Sequence, residues 1–501
     1  MKYILFGVMS ALLAQGADLT GRWVAETQTP NGEKRQTVFA FKSDGDTLTG
    51  YMVSQQGDDP IAEGKISGDT ISFVVVGDFY GNERRTQYTG KITPEGILIA
   101  AAGGRGGRGP RELLAKRVST EVPKMVSTVK AALPPPTTSV RSNGLAKTPP
   151  MGWNSWNKFQ RRVNDQVVRE VATAMAKNGM KDAGYVYVNI DDTWEGTRDA
   201  RGNIQTNEKF PDMKALADYV HSQGMKLGIY SSPGPKTCAG FEGSYQHEEQ
   251  DAKTYAAWGI DYLKYDWCSA ARVYQMSSMP AVYARMGQAL ADSGRSIVYS
   301  LCQYGALNVG EWGPKVGGNL WRTTMDIRDS WASMADLGFD KQAGIEKYSG
   351  PGHWNDPDML EVGNGGMSLD EYRTHMSLWS MLAAPLIAGN DVRDMKPDIT
   401  AILMNKEVIA IDQDALGKQA VRVSKNGDLE VWSRPLAGGK IAVGLFNRGA
   451  APAKVTAKWA DLGIKGSKSV RDLWAHADRG KVSGEYSADV VPHGVVMVEL
   501  R

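Results

Sequence analysis

Cysteine is scarce in this 501-residue chain, which has only Cys238, Cys268 and Cys302. No CxxC pair sets up a metal-ligand spacing, and six scattered histidines argue against a zinc site or a histidine-based triad. The cysteine count is odd, so pairing leaves one thiol over. A charge excess is lacking too. The net charge of +2 gives no electrostatic reason to expect nucleic acid or an anionic membrane as partner. The glycine- and arginine-rich run from Gly103 to Pro110 is short and isolated, and reads as a flexible loop. No GxGxxG follows an early strand, and no phosphate-binding loop is present. Past the N-terminus no apolar run is long enough to span a bilayer.

Aromatic residues are plentiful, with 14 Trp and 19 Tyr. Flat ring faces suit the C–H faces of sugars, although core packing is expected to absorb most of them. The N-terminus has the form of an export signal over residues 1–17. Lys2 is its charged end, Tyr3 to Leu13 its apolar run, and Ala14-Gln15-Gly16 the small residues of a cleavage site. A periplasmic or secreted protein is therefore expected.

Residues 18–118 read as a small all-β module, a barrel or a sandwich. Runs such as Thr37-Val38-Phe39-Ala40-Phe41 and Thr70-Ile71-Ser72-Phe73-Val74 alternate with turn signals such as Asn31-Gly32, Asp44-Gly45-Asp46 and Ser67-Gly68-Asp69. Residues 119–145 form a linker in which Pro134-Pro135-Pro136 favours an extended spacer. From residue 146 to 416 the pattern changes to strand, helix, strand, helix. Expected strands are Met151 to Trp153, Tyr185 to Asp191, Lys226 to Tyr230, Tyr262 to Asp266, Ser296 to Cys302, Asn319 to Thr323, His353 to Asp358 and Pro385 to Ala388. A helix is expected from an Asn164 N-cap to Gly179. Eight such units predict a (β/α)8 TIM barrel. Residues 417–501 return to strand patterning and predict a C-terminal antiparallel β-sandwich.

The expected strand ends carry a constellation. Strand one leads to Trp153 and Trp156, strand two to Asp191 and Asp192, and strand three to Tyr230. Strand four carries Lys264 and Asp266, strand six Arg322 followed by Asp326, and strand seven Asp356 and Asp358. A single carboxylate there is often a helix N-cap. Carboxylates at four strand ends crowd one mouth and raise each other's pKa values, an arrangement tolerated where chemistry needs it. Cleaving a glycosidic bond needs two facing carboxyl groups, one to attack and one to deliver a proton.

From Leu145 to about Arg501 the chain resembles glycoside hydrolase family 27, the α-galactosidase and α-N-acetylgalactosaminidase family. The segments that carry this include Thr148-Pro149-Pro150-Met151-Gly152-Trp153-Asn154-Ser155-Trp156, Ile190-Asp191-Asp192-Thr193-Trp194, Lys236-Thr237-Cys238-Ala239-Gly240-Phe241, Tyr262 to Cys268, and Trp354-Asn355-Asp356-Pro357-Asp358-Met359. The resemblance implies a retaining hydrolase with Asp266 as nucleophile and Asp326 as acid/base. It implies sugar contacts from Trp156, Asp191, Asp192, Tyr230, Lys264, Arg322 and Asp358, and a disulfide between Cys238 and Cys268. Neither metal nor cofactor is called for, and the implied partner is a galactose-containing oligo- or polysaccharide. Lys264 is expected to hold the Asp266 carboxyl down, while Asp326 has to start protonated.

Two positions depart from the family pattern. Gln303 stands where many members carry a Glu against the sugar 2-position, and Trp267 replaces a small or polar residue beside the nucleophile. Gln303 is still expected to bond a sugar hydroxyl. The changes admit the same mechanism on another sugar, as in β-L-arabinopyranosidases, α-N-acetylgalactosaminidases or isomalto-dextranases. A carbohydrate-binding protein without catalysis is a further alternative, against which Asp266 and Asp326 speak. The Asp191-Asp192 pair fits galactose, whose axial 4-hydroxyl and 6-hydroxyl two acids can accept.

Overall fold

The computed structural model describes residues 17–28, 34–54, 57–79, 82–102, 112–125, 135–136 and 139–501. The export signal apart from Ala17, the Asn31-Gly32 turn, the Gly103-to-Pro110 run and residues 126–134 and 137–138 of the linker lie outside the described residues. The chain divides into two compact units, with the break between Ala132 and Leu133 and the short segment Ala271–Val273 grouped with the first.

In the first unit eight antiparallel strands close into a barrel: Gly21–Gln28, Lys34–Asp44, Thr47–Ser54, Gly57–Ser67, Thr70–Phe79, Asn82–Thr93, Gly96–Ala101 and Glu112–Ser119. The last strand pairs with the first, so no edge is left open. Gly45 (φ +57°) and Gly68 (φ +59°) supply the positive φ that two of its tight turns require. Alternate residues point inward, and Trp23, Phe39, Phe41, Ile71, Phe73, Val75, Ile97 and Ile99 are buried in one core. Phe73 meets Phe39 and Phe41 edge-on, with centroids 5.8 and 5.4 Å away, and stacks on Tyr88 at 5.2 Å.

The second unit holds the parallel barrel. Its strands, numbered one to eight here, are Met151–Asn154, Tyr187–Asn189, Lys226–Ser231, Tyr262–Asp266, Val298–Cys302, Leu320–Arg322, Trp354–Asp356 and Leu386–Ala388. Neighbours in sequence are neighbours in the sheet, strand eight pairs with strand one, and a single parallel bridge between Leu360 and Ala388 links strand eight to the end of strand seven. Eight parallel strands curled in this way place their C-terminal ends around one mouth. The helix after strand one covers Asp165–Lys177 and buries Val168, Val171, Ala172 and Met175. Asn164 caps it by accepting from the Val167 N–H at 2.9 Å. Its C-cap is Asn178 rather than Gly179, which follows in the left-handed region at φ +95°.

The C-terminal part forms two antiparallel sheets. One joins Val421–Asn426, Leu429–Pro435, Ile441–Asn447, Val495–Leu500, Ser467–Asp472 and Ala477–Ser483; the other pairs Ala453–Lys458 with Glu485–Val490. Val431, Leu445, Val455, Trp459, Val470 and Val498 share the core between them. No helix among the described residues is long and apolar enough to cross a membrane.

Candidate functional site

Strand four sets the geometry. Side chains alternate across a strand, so Tyr262, Lys264 and Asp266 share one face while Leu263 and Tyr265 take the other. Asp266 ends the strand with 4% of its surface exposed. The Tyr304 hydroxyl donates to both of its carboxylate oxygens, at 2.9 and 3.2 Å. Lys264 does not hold Asp266 directly. Its Nζ donates to Asp191 Oδ2 at 2.8 Å, and the Asn154 amide donates to the same oxygen at 2.8 Å.

Burial outweighs these neighbours. The Asp266 carboxyl is pushed up to about 6 by desolvation, with Lys264 pulling against it and the charge of Asp326 adding to it. Lys264 lowers the Asp266 carboxyl as expected, but taking the carboxylate out of water is the larger effect. Asp192 is pushed up to about 6 for the same reason. Its Oδ2 accepts from the Ala239 N–H at 2.7 Å, whereas its Oδ1 is buried with no partner among the described atoms. A buried carboxylate oxygen without a donor marks a place for one.

Cys238 and Cys268 form a disulfide with a Cα–Cα distance of 4.9 Å, and Cys302 is a buried free thiol. Cys302 lies opposite Asp266 in the register of strands four and five. The bridge ties the loop that carries Ala239 to the residue two beyond Asp266. The Tyr230 hydroxyl donates to Cys268 Sγ at 3.3 Å, and its ring lies 5.4 Å from Lys264 Nζ. A carboxylate oxygen of Asp266 and both bridge sulfurs lie within 4.8 Å of one another. The sulfurs are already bonded to each other, so neither offers the thiolate that a metal would need.

On the far side, the Arg322 Nη2 lies 2.9 Å from Asp358 Oδ2 and 3.3 Å from Asp326 Oδ1. Asp358 is raised by burial, with Arg322 opposing. Its Oδ2 also accepts from the Ile327 N–H at 2.8 Å, which fixes the loop bearing Asp326. Asp326 itself stands at the rim, its side chain 69% exposed. Trp156 is half-buried at the start of a short helical turn.

The two positions that depart from the family pattern have local partners in the structure. The Gln303 carbonyl oxygen accepts from the Gly305 N–H at 2.8 Å, and its amide donates to the Arg322 carbonyl at 3.0 Å. Half of its hydrogen-bonding capacity is thus spent on main chain, where it holds a turn. Trp267 is buried and stacks on Tyr283 at 5.8 Å, so it serves packing rather than the mouth. The sequence reading missed Asn154 and Tyr304. Each is a hydrogen-bonding side chain at a strand end, next to a residue that had been singled out, and that position was the available signal.

The family model described as α-galactosidase A matches residues 148–414, and the model of the α-galactosidase C-terminal β-sandwich domain matches residues 426–500. The α-galactosidase of Cyamopsis tetragonoloba is 47% identical, covering 81% of this chain and 96% of that protein. The α-galactosidase of Oryza sativa subsp. japonica is 50% identical, covering 72% of this chain and 86% of that protein. The crystal structure of α-galactosidase I from Mortierella vinacea superposes with a TM-score of 0.69 at 38% identity, covering 72% of this chain and 98% of that one. With a barrel, a following sandwich and a carboxylate-lined mouth in the order those models require, the chain belongs to the α-galactosidase family of glycoside hydrolases, family 27.

Proposed function

We propose that the chain is an exported retaining α-galactosidase that releases terminal α-linked D-galactose by double displacement. The observation that carries this is the pairing at one mouth of a buried carboxylate, Asp266, with an exposed one, Asp326, whose charge it feels. The relatives named above, all α-galactosidases, set the sugar.

An oxygen of Asp266 attacks the anomeric carbon while Asp326 delivers its proton to the departing glycosidic oxygen. Asp326 is open to water in the free protein, and bound substrate covers it. Water then attacks the galactosyl-enzyme, giving its proton to Asp326 and freeing Asp266. The free Oδ1 of Asp192 accepts a sugar hydroxyl, and Asp191, set by Lys264 and Asn154, accepts a second. Tyr230, Arg322 and Asp358 line the pocket, and Trp156 offers its ring face. Gln303 supports the turn beside the sugar and contributes little direct contact. Residues 1–17 direct export.

The test is hydrolysis of nitrophenyl α-D-galactopyranoside beside the β-L-arabinopyranoside, α-N-acetylgalactosaminide and α-glucoside, with the first-formed sugar observed by NMR. The expected result is preference for the galactoside and release of the α-anomer. Preference for another sugar moves the specificity, and release of the β-anomer removes double displacement.

A further inference from the structure

Resting on the assignment of Asp266 as nucleophile, we propose that Tyr304 is a catalytic residue of this chain, its hydroxyl holding the nucleophile's two oxygens before attack and the departing oxygen as the galactosyl-enzyme is hydrolysed. The hydroxyl lies 2.9 and 3.2 Å from the two oxygens, a shared bond that fixes the plane of the carboxylate.

The backbone has been shaped to put it there. Tyr304 sits at φ +62°, a left-handed conformation that a residue with a side chain adopts at a cost. What holds it is Gln303. The amide of that residue clamps the Gly305 N–H and the Arg322 carbonyl, and the Gly305 N–H also reaches the Arg322 carbonyl at 3.0 Å. The Arg322 guanidinium carbon lies 5.4 Å from the centroid of the Tyr304 ring, which pins the ring and favours its electron-rich face. Gln303 thus frames a turn whose product is the Tyr304–Asp266 bond.

The donor acts unequally on the two half-reactions. In the first, an Asp266 lone pair forms the bond to the anomeric carbon, the glycosidic bond breaks, and its electron pair takes the Asp326 proton. The negative charge on Asp266 disappears and the Tyr304 bond weakens. In the second, water adds to the anomeric carbon, its proton passes to Asp326, and the ester bond breaks with its pair returning to Asp266. The charge reappears facing the Tyr304 hydroxyl, and the bond strengthens as the transition state is reached. A neutral donor also favours the ionised carboxylate in the free enzyme. The other charged and titratable groups that bear on Asp266 are Lys264 on its own strand, Asp191, Tyr230, Cys302 and Asp326.

The experiment uses the full chain with Tyr304→Phe, which keeps the ring and removes only the hydroxyl. With an aryl α-galactoside, the acid limb of kcat/KM is expected to move up by about one pH unit, and kcat to fall about tenfold with a burst of released phenol as the second half-reaction slows. An acid limb that stays in place or moves down overturns the proposal. Asp266→Gly with added azide keeps the two assignments apart. Restored turnover giving the β-galactosyl azide upholds Asp266 as nucleophile whatever Tyr304→Phe shows, and its absence removes the assignment on which this proposal rests.

Discussion

The chain contains two eight-stranded barrels with opposite interiors. The antiparallel barrel is filled with rings and aliphatic chains: Trp23, Phe39, Phe41, Ile71, Phe73 and Ile97 meet in its core. Eight strands leave a lumen that side chains just fill, so what that interior supplies is stability. The parallel barrel buries Asn189, Asp191, Asp192, Asp266, Arg322 and Asp358 instead. Ion pairs such as Lys264–Asp191 and Arg322–Asp358 offset part of the desolvation, and burial still raises the Asp358 carboxyl. Equal strand number therefore says little about role. The residues that break the rule of an apolar interior mark the barrel that does the chemistry.

The sharpest way to break that comparison is Asp266→Asn. It removes the proposed nucleophile, keeps the shape and relieves a buried carboxyl. Turnover of an aryl α-galactoside is expected to fall on the order of 10⁴-fold, with melting unchanged or raised. Activity within tenfold of the parent would show that the buried charge is not the working one. The converse is Phe73→Ala in the other barrel. Losing that ring from among Phe39, Phe41 and Tyr88 is expected to lower the small barrel's stability by about 3–5 kcal/mol, read as a separate, earlier melting transition. kcat should stay at the parent value. A parallel fall in kcat would mean that the two interiors are not independent.

The eight parallel strands were legible because each is a short apolar run closed by a turn signal, and each was found within a few residues. The mouth was legible for a related reason: acids at strand ends contradict their apolar surroundings. Half of the sandwich strands were not. Ala477–Ser483 is polar and largely exposed, so no alternation announces it. The roles of Gln303 and Tyr304 were hidden for another reason. They depend on a left-handed backbone and on the Arg322 carbonyl, which strand patterning does not reveal. Trp267 looked like a change at the sugar because it is adjacent in sequence, and packing against Tyr283 turned it away.

The smallest effect is a pH slope, and it too separates the barrels. Burial pushes Asp192, Asp266 and Asp356 up to about 6 and Glu361 up to about 7. Ordinary carboxyls titrate near 4. Between about 4 and 7 these four acids therefore keep protons in the folded state that the unfolded chain has released. This outweighs the imidazoles that oppose it there, buried His375 pushed down to about 3 and half-buried His353 also lowered, and stability falls as pH rises through that window. Below it the cost is absent, and above it the cost is complete. Glu407 works the other way, since hydrogen bonding from Arg471 holds it down to about 2. Its stabilisation is lost only as pH falls below about 4, outside the window. The melting temperature of the parallel barrel is expected to drop by several degrees from pH 4.5 to pH 7.5. A midpoint that rises over this range would mean that the buried acids are solvated in the folded protein. These four acids lie in the parallel barrel, so the slope should persist in Phe73→Ala, whose small barrel has already melted. If it disappears with the small barrel, the two interiors share their proton uptake and the contrast between them fails.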